Sequence, residues 1–194
     1  MPYDERTYSV LLISNAQRFT DSLRDILKDP AYETVKTVSS ISEGKRELAE
    51  KSYDLVIINS QHADGAATRL AIDTITHSQS VILLAVRQDI YEEIFCTVSP
   101  HGIFTLSLPT SRQTAERALR WLTTSRELRR KSEEKNESLQ DKMQEIRTIN
   151  RAKLLLITKL NYDESAAHRY IEKQAMDQCV TRLQIAKDII EKYK

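Results

Sequence analysis

The chain has 194 residues, a formal net charge of +1, and 40% hydrophobic and 29% charged side chains, so it can bury at least one core and is too apolar for wholesale disorder. Only 3 Gly and 4 Pro argue against a turn-rich all-β architecture and favour long helices. The apolar runs are far too short to span a bilayer, the first residues show no basic-then-apolar leader, and Cys96 and Cys179 make no disulfide framework; a soluble, cytoplasmic protein without membrane partners is expected.

The small net charge hides an asymmetry. Residues 1–110 carry ten Lys/Arg against fifteen Asp/Glu, and residues 111–194 carry nineteen against thirteen. An acidic first half and a basic second half point to two modules with different partners, the basic one suited to a polyanion.

The first half alternates. Tyr8 to Ile13 reads as a strand, and Phe19, Leu23, Ile26 and Leu27 mark a helix that stops before Pro30. Thr34 to Val38 reads as a weaker strand, and Ile41 to Lys51 as a helix with a sparse apolar face (Ile41, Leu48, Ala49) interrupted by Gly44. Leu55 to Ile58 and Val81 to Val86 are continuous apolar runs, as strands buried on both faces require. Leu70, Ile72 and Ile75 belong to the helix between them. Ile90, Ile94 and Phe95 belong to a helix ending before Pro100, where Cys96 is expected to be a buried small hydrophobe, as is Cys179 further on. Ile103 to Leu106 closes the series. Five strands alternating with helices predict an α/β fold with a parallel five-stranded, flavodoxin-like sheet.

Ligands of such sheets gather at the carboxyl ends of the strands. Those ends read Ser14 and Asn15, Asn59, Ala85, and Leu108 before Pro109. The layout of residues 7–124 resembles the receiver domain of bacterial response regulators. That resemblance implies an acidic pair for Mg²⁺, a phosphate-accepting Asp, a Ser/Thr and a Lys at these positions, and none is present. Amides are poorer ligands for Mg²⁺ than carboxylates, and Leu108 cannot pair with a phosphate. The nearest carboxylates are Asp54, at the wrong end of its strand, and Asp64, in the following loop. A degenerate, unphosphorylated pseudo-receiver over residues 1–110 is expected.

From Ser111 to about Lys159 there is no Gly or Pro, which predicts one long helix. Steps of four and three from Trp121 give Ser125, Leu128, Ser132, Lys135, Leu139, Lys142, Ile146 and Ile149, a patchy heptad compatible with a coiled-coil homodimer over residues 111–145. The alternative is a solvated linker helix.

Beyond it, Ile146, Ile149, Ala152, Leu155, Leu156 and Leu160 mark the buried face of a helix, and Asp163 caps the next. Ala167, Tyr170, Ile171 and Ala175, then Val180, Leu183, Ala186 and Ile190, give two more stripes, hence an all-α three-helix bundle over residues 146–194. Ala152, Ala166, Ala167, Ala175 and Ala186 would allow close packing. The text from Ile146 to Leu160, Glu164 to Asp177 and Leu183 to Ile190 resembles the ANTAR domain, the RNA-binding module of bacterial transcription antiterminators. The Ala152–Lys153 pair, the Ala167-His168-Arg169-Tyr170 run and the Ala175–Met176 pair carry the resemblance. Leu154 and Leu155 depart from it, as does Ala166, which leaves Asp163 without a capping-box partner.

The resemblance implies a non-enzymatic antitermination regulator that binds paired hairpins with six-base loops in nascent mRNA. Candidate contacts are Asn150, Arg151 and Lys153 on the first helix of the bundle and His168, Arg169 and Lys173 on the second. Lys and Arg would neutralise phosphates, Asn150 could read a base edge, and His168 or Tyr170 could stack, although the apolar stripe places Tyr170 in the core. Arg182 and Lys187 read as ordinary surface charge. His62, His77, His101 and His168 are scattered without zinc spacing, no phosphate loop or nucleophile motif appears, and no cofactor is expected. An upstream signalling protein is a further possible partner. The competing readings are a phosphorylation-gated regulator and a coiled-coil signalling adaptor without RNA binding.

Overall fold

The computed structural model describes residues 6–60 and 65–193. His62 and Asp64 therefore lie outside the described residues. The chain divides between Arg130 and Lys131 into two compact units.

The first unit contains β1 (Tyr8–Ile13), α1 (Gln17–Ile26), β2 (Tyr32–Val38), α2 (Ile41–Glu50), β3 (Leu55–Ser60), α3 (Ala66–His77), β4 (Val81–Arg87), α4 (Tyr91–Val98) and β5 (Phe104–Leu108), then the start of α5 (Arg112–Leu160). The strands run parallel in the order β2-β1-β3-β4-β5. Order reverses between β1 and β3, which places the topological switch point beside the ends of those two strands.

The central strands carry continuous apolar runs because both faces are covered. Val10, Leu12, Leu55, Ile57, Leu83 and Ala85 face one layer, completed by Leu23 and Leu27 near α1 and by Leu119 and Leu122 of α5. Leu11, Ile13, Val56, Ile58, Ile82 and Leu84 face the other, completed by Ala67, Leu70 and Ala71 of α3 and Val98 of α4. Alternation of neighbouring residues between layers is the period of two that a strand imposes.

Gly44 sits where α2 meets β1. A Cβ there would collide with Ile13 Cδ1, so the glycine that weakens the helical pattern is what lets the helix approach the sheet. Cys96 corrects an expectation: it is exposed, because α4 turns only Val98 fully inward and half-buries Ile94.

In the second unit, the end of α5 packs with α6 (Glu164–Asp177) and α7 (Arg182–Tyr193). Asn161 adopts a left-handed backbone (φ 53°) where α5 ends, and Asp163 Oδ1 accepts the Ala166 N–H at 2.6 Å to cap α6. Ala152, Leu156, Ala167, Ile171, Ala175, Ile185, Ala186 and Ile189 form the bundle core. Four alanines there allow the close helix packing expected of them.

Three details differ from the sequence reading. Ile146 and Leu160 are exposed, since the core spans only Ile149 to Ile157 on α5. At about 100° per residue, Ile146 is turned about 120° from Ala152. The α7 face is centred on Ile185, Ala186 and Ile189; Val180 precedes the helix and is exposed, and Leu183 is half-buried. Cys179 is exposed in the α6–α7 turn with φ 52°, so it is not a core residue.

Candidate functional site

Two regions bear on function. At the carboxyl ends of the first unit's strands, Ser14 and Asn59 meet: Asn59 Nδ2 donates to Ser14 Oγ at 3.1 Å, and Ser14 Oγ also accepts the Ala16 N–H at 3.1 Å. Both side chains are buried, Asn59 with 7% exposure, and its Oδ1 accepts no hydrogen bond from the described residues. Ala85 is the register partner of Asn59 on β4. Leu108 packs, partly buried, against the core layer of α1 and α5, while Asn15 is exposed. Among the described residues the site is thus a neutral, amide-centred arrangement.

Asp54 stands at the opposite end of β3. Its Oδ2 accepts the N–H and Oγ–H of Ser9 at 3.1 and 2.9 Å, and its Oδ1 pairs with Arg126 at 3.0 Å and Arg130 at 3.3 Å. Burial works to raise its pKa, but the Ser9 hydrogen bonds and the Arg126 guanidinium outweigh it and hold the carboxyl below the usual range. Asp54 is therefore a structural anion committed to these partners.

In the second unit, α5 and α6 bring Lys153 and His168 to one open cleft, together with Glu164 and Ser165. The Lys153 side chain is 18% exposed and its Nζ lies 3.7 Å from Glu164 Oε1. His168 Nε2 lies 3.3 Å from Glu172 Oε1, which Arg182 also approaches at 3.4 Å. Asn150, Arg151, Arg169 and Lys173 are exposed but do not line this cleft. Arg169 donates weakly to its own helix, from Nε to Ser165 O at 3.4 Å. Arg169 and Lys173 are one turn apart, so they share a face of α6. Tyr170 is half-buried and meets Tyr162 edge-on at 5.7 Å between centroids, which places it with the core.

Sequence reasoning missed Glu164 and Ser165. Glu164 is the first residue after the cap, and no periodicity connects it to Lys153, eleven positions earlier on another helix.

Residues 137–190 match the ANTAR domain family. The first unit has the fold of solved receiver domains. The signal receiver domain of an HD domain-containing protein from Pseudomonas fluorescens Pf-5 superposes with a TM-score of 0.57 at 19% identity, covering 68% of this chain and 96% of that one. A structure described as adenylate cyclase from Rhodopirellula baltica gives a TM-score of 0.60 at 16% identity, covering 68% of this chain and 98% of that one. Residues 137–190 thus carry an ANTAR domain, and the long α5 joins it to a first unit with the receiver fold. Among curated proteins, the aliphatic amidase regulator of Pseudomonas aeruginosa is 28% identical over 137 residues, which are 69% of this chain and 67% of that protein. Among the described residues, no helix is long and apolar enough to cross a membrane.

Proposed function

We propose that this chain is a homodimeric antitermination regulator that holds paired six-base-loop hairpins of nascent mRNA on its ANTAR domains, and that its receiver domain is not phosphorylated. The observation that carries the RNA reading is the ANTAR match over residues 137–190, with basic side chains of α5 and α6 on its surface. Lys153 and Arg169 supply the principal phosphate contacts, Asn150 a base-edge contact and His168 a stacking surface, with Arg151 and Lys173 extending the basic face.

The dimer reading is supported by apolar side chains that α5 leaves uncovered: Trp121 at 62% exposure and Leu128 at 64% in the first unit, Leu139 at 49% and Ile146 at 58% in the second. All four occupy the four-and-three steps of the heptad, so a second α5 would bury them. Two modules on one dimer raise avidity for a two-hairpin RNA without new contacts. The phosphate-blind reading is supported by the neutral Ser14, Asn59, Ala85 and Leu108 constellation, with Asn15 beside it. Resistance of the full chain to labelling by acetyl phosphate agrees with it, and stoichiometric labelling contradicts it.

The test of RNA binding is a salt-series titration comparing wild type with the double variant Lys153→Ala, Arg169→Ala. Loss of two phosphate contacts weakens binding and flattens the log–log salt slope by about 2. Unchanged affinity and slope would remove these two residues from the interface.

A further inference from the structure

We infer that the degenerate receiver site is a binding site for a small neutral ring compound carrying one N–H or O–H donor. Beside the switch point, between α1 and the β5–α5 junction, lies a cavity of about 450 Å³. This is within the usual range for small-molecule sites, and switch points are where open α/β sheets take ligands. Its walls include Phe19, Leu23, Ile26, Leu108, Pro109 and Ala115. Where a phosphate-handling site needs an ammonium, Leu108 adds apolar surface instead.

The polar groups define what the cavity accepts. Its charged lining residues, Arg18, Asp25 and Arg112, all have exposed side chains, and two of them are paired: Asp25 with Lys28 at 2.7 Å and Arg112 with Glu116 at 2.9 Å. Two lining hydroxyls are spent within the protein, Ser22 Oγ on Arg18 O at 2.8 Å and Ser111 Oγ with Thr114 Oγ1 at 2.9 Å. Thr110 lines the cavity half-buried, and the buried polar side chain among the described lining residues is Asn59, with 7% exposure. Its Nδ2 is held by Ser14, and its Oδ1 is a buried acceptor that no donor among the described residues meets. An unmet buried acceptor carries a desolvation penalty that a ligand donor removes, so it selects for a donor against an otherwise apolar wall. Among the described lining residues no charge is buried to recruit an ion, which is why the ligand is neutral.

The probe pair is indole, which carries a single N–H donor, and N-methylindole, which keeps the ring and lacks the donor. Both are titrated into the isotope-labelled full chain while amide shifts are followed by NMR. Indole should give saturable shifts at Asn59, Phe19 and Ala115, with affinity about tenfold above that of N-methylindole, the worth of one hydrogen bond to a buried group. Asn59→Leu should remove that preference while retaining ring binding, and Leu108→Lys, which puts an ammonium into the cavity, should abolish binding of both. The paired probes test the wild-type protein even if a variant fails to fold. Equal affinity for the two probes, shifts located elsewhere, or no saturable shift at millimolar concentration would each overturn the assignment.

Discussion

Asp54 Oδ1 accepts the Nε–H of Arg126 at 3.0 Å across 72 positions of the chain, which fixes the start of β3 to α5 within the first unit. With Ser9 on its other oxygen and Arg130 nearby, this carboxylate is the hub of a partly buried network. Asp54→Ala leaves the Arg126 guanidinium, whose side chain is 12% exposed, without that anion, and should destabilise the first unit by about 2–4 kcal/mol. Chemical denaturation of the two proteins measures it. Because the folded pKa is lowered, the contribution is present above the ordinary carboxylate value and is lost as pH falls through the folded value. The stability gap between wild type and Asp54→Ala should accordingly shrink below about pH 4.

At the alkaline end, Tyr8 takes over. Burial, and then the charge and hydrogen bond of Glu127 at 3.2 Å, push the Tyr8 hydroxyl from 10.0 to about 12. The neutral phenol is favoured in the folded state, so its contribution is complete below the unfolded value and disappears as pH rises through the folded one. Thermal melts should show wild type losing stability between pH 10.0 and about 12 more steeply than Tyr8→Phe.

Gly44→Ala separates helix propensity from packing. In an exposed helix, alanine would gain about 1 kcal/mol. Here the new methyl collides with Ile13, a core side chain 1% exposed, so the expected result is a net loss of about 1–3 kcal/mol by denaturant unfolding.

Glu164 lies 3.7 Å from Lys153, where it would compete with an RNA phosphate. On the proposed interface, Glu164→Gln should tighten hairpin binding about threefold to tenfold, a gain equivalent to one screened charge contact. The small cost to α6 from losing an acidic first-turn residue is about 0.3–1 kcal/mol and is read separately in a melt. Weaker binding by this variant would place Lys153 away from the phosphate path.

The parallel sheet was legible because continuous apolar runs such as Val81 to Val86 have no other economical use in a short chain. The bundle's α5 and α6 stripes were legible for a similar reason, as Ala152, Leu156, Ala167 and Ile171 repeat at helical spacing. What failed was orientation at element ends. Ile146 and Leu160 continue the α5 pattern, but the bundle core does not reach them, and α7 is rotated so that Ile185 and Ile189 face inward. Cys96 was misread because α4 is short and carries more apolar residues than its buried face uses. The substitutions at the receiver site could be read from strand-end positions. The cavity and the unmet Asn59 oxygen could not, since both depend on how α1 and the β5–α5 junction close around them.

The central claim is recognition of looped RNA, and the most direct measurement is an equilibrium titration of the full chain with a two-hairpin RNA, against the same stems carrying altered loops and against a single hairpin. The account predicts one protein dimer per two-hairpin RNA, a marked affinity loss for the altered loops, and weaker binding of the single hairpin. Equal affinity for all three RNAs, or none for any, would contradict it and leave the uncovered α5 face as evidence for a protein–protein adaptor.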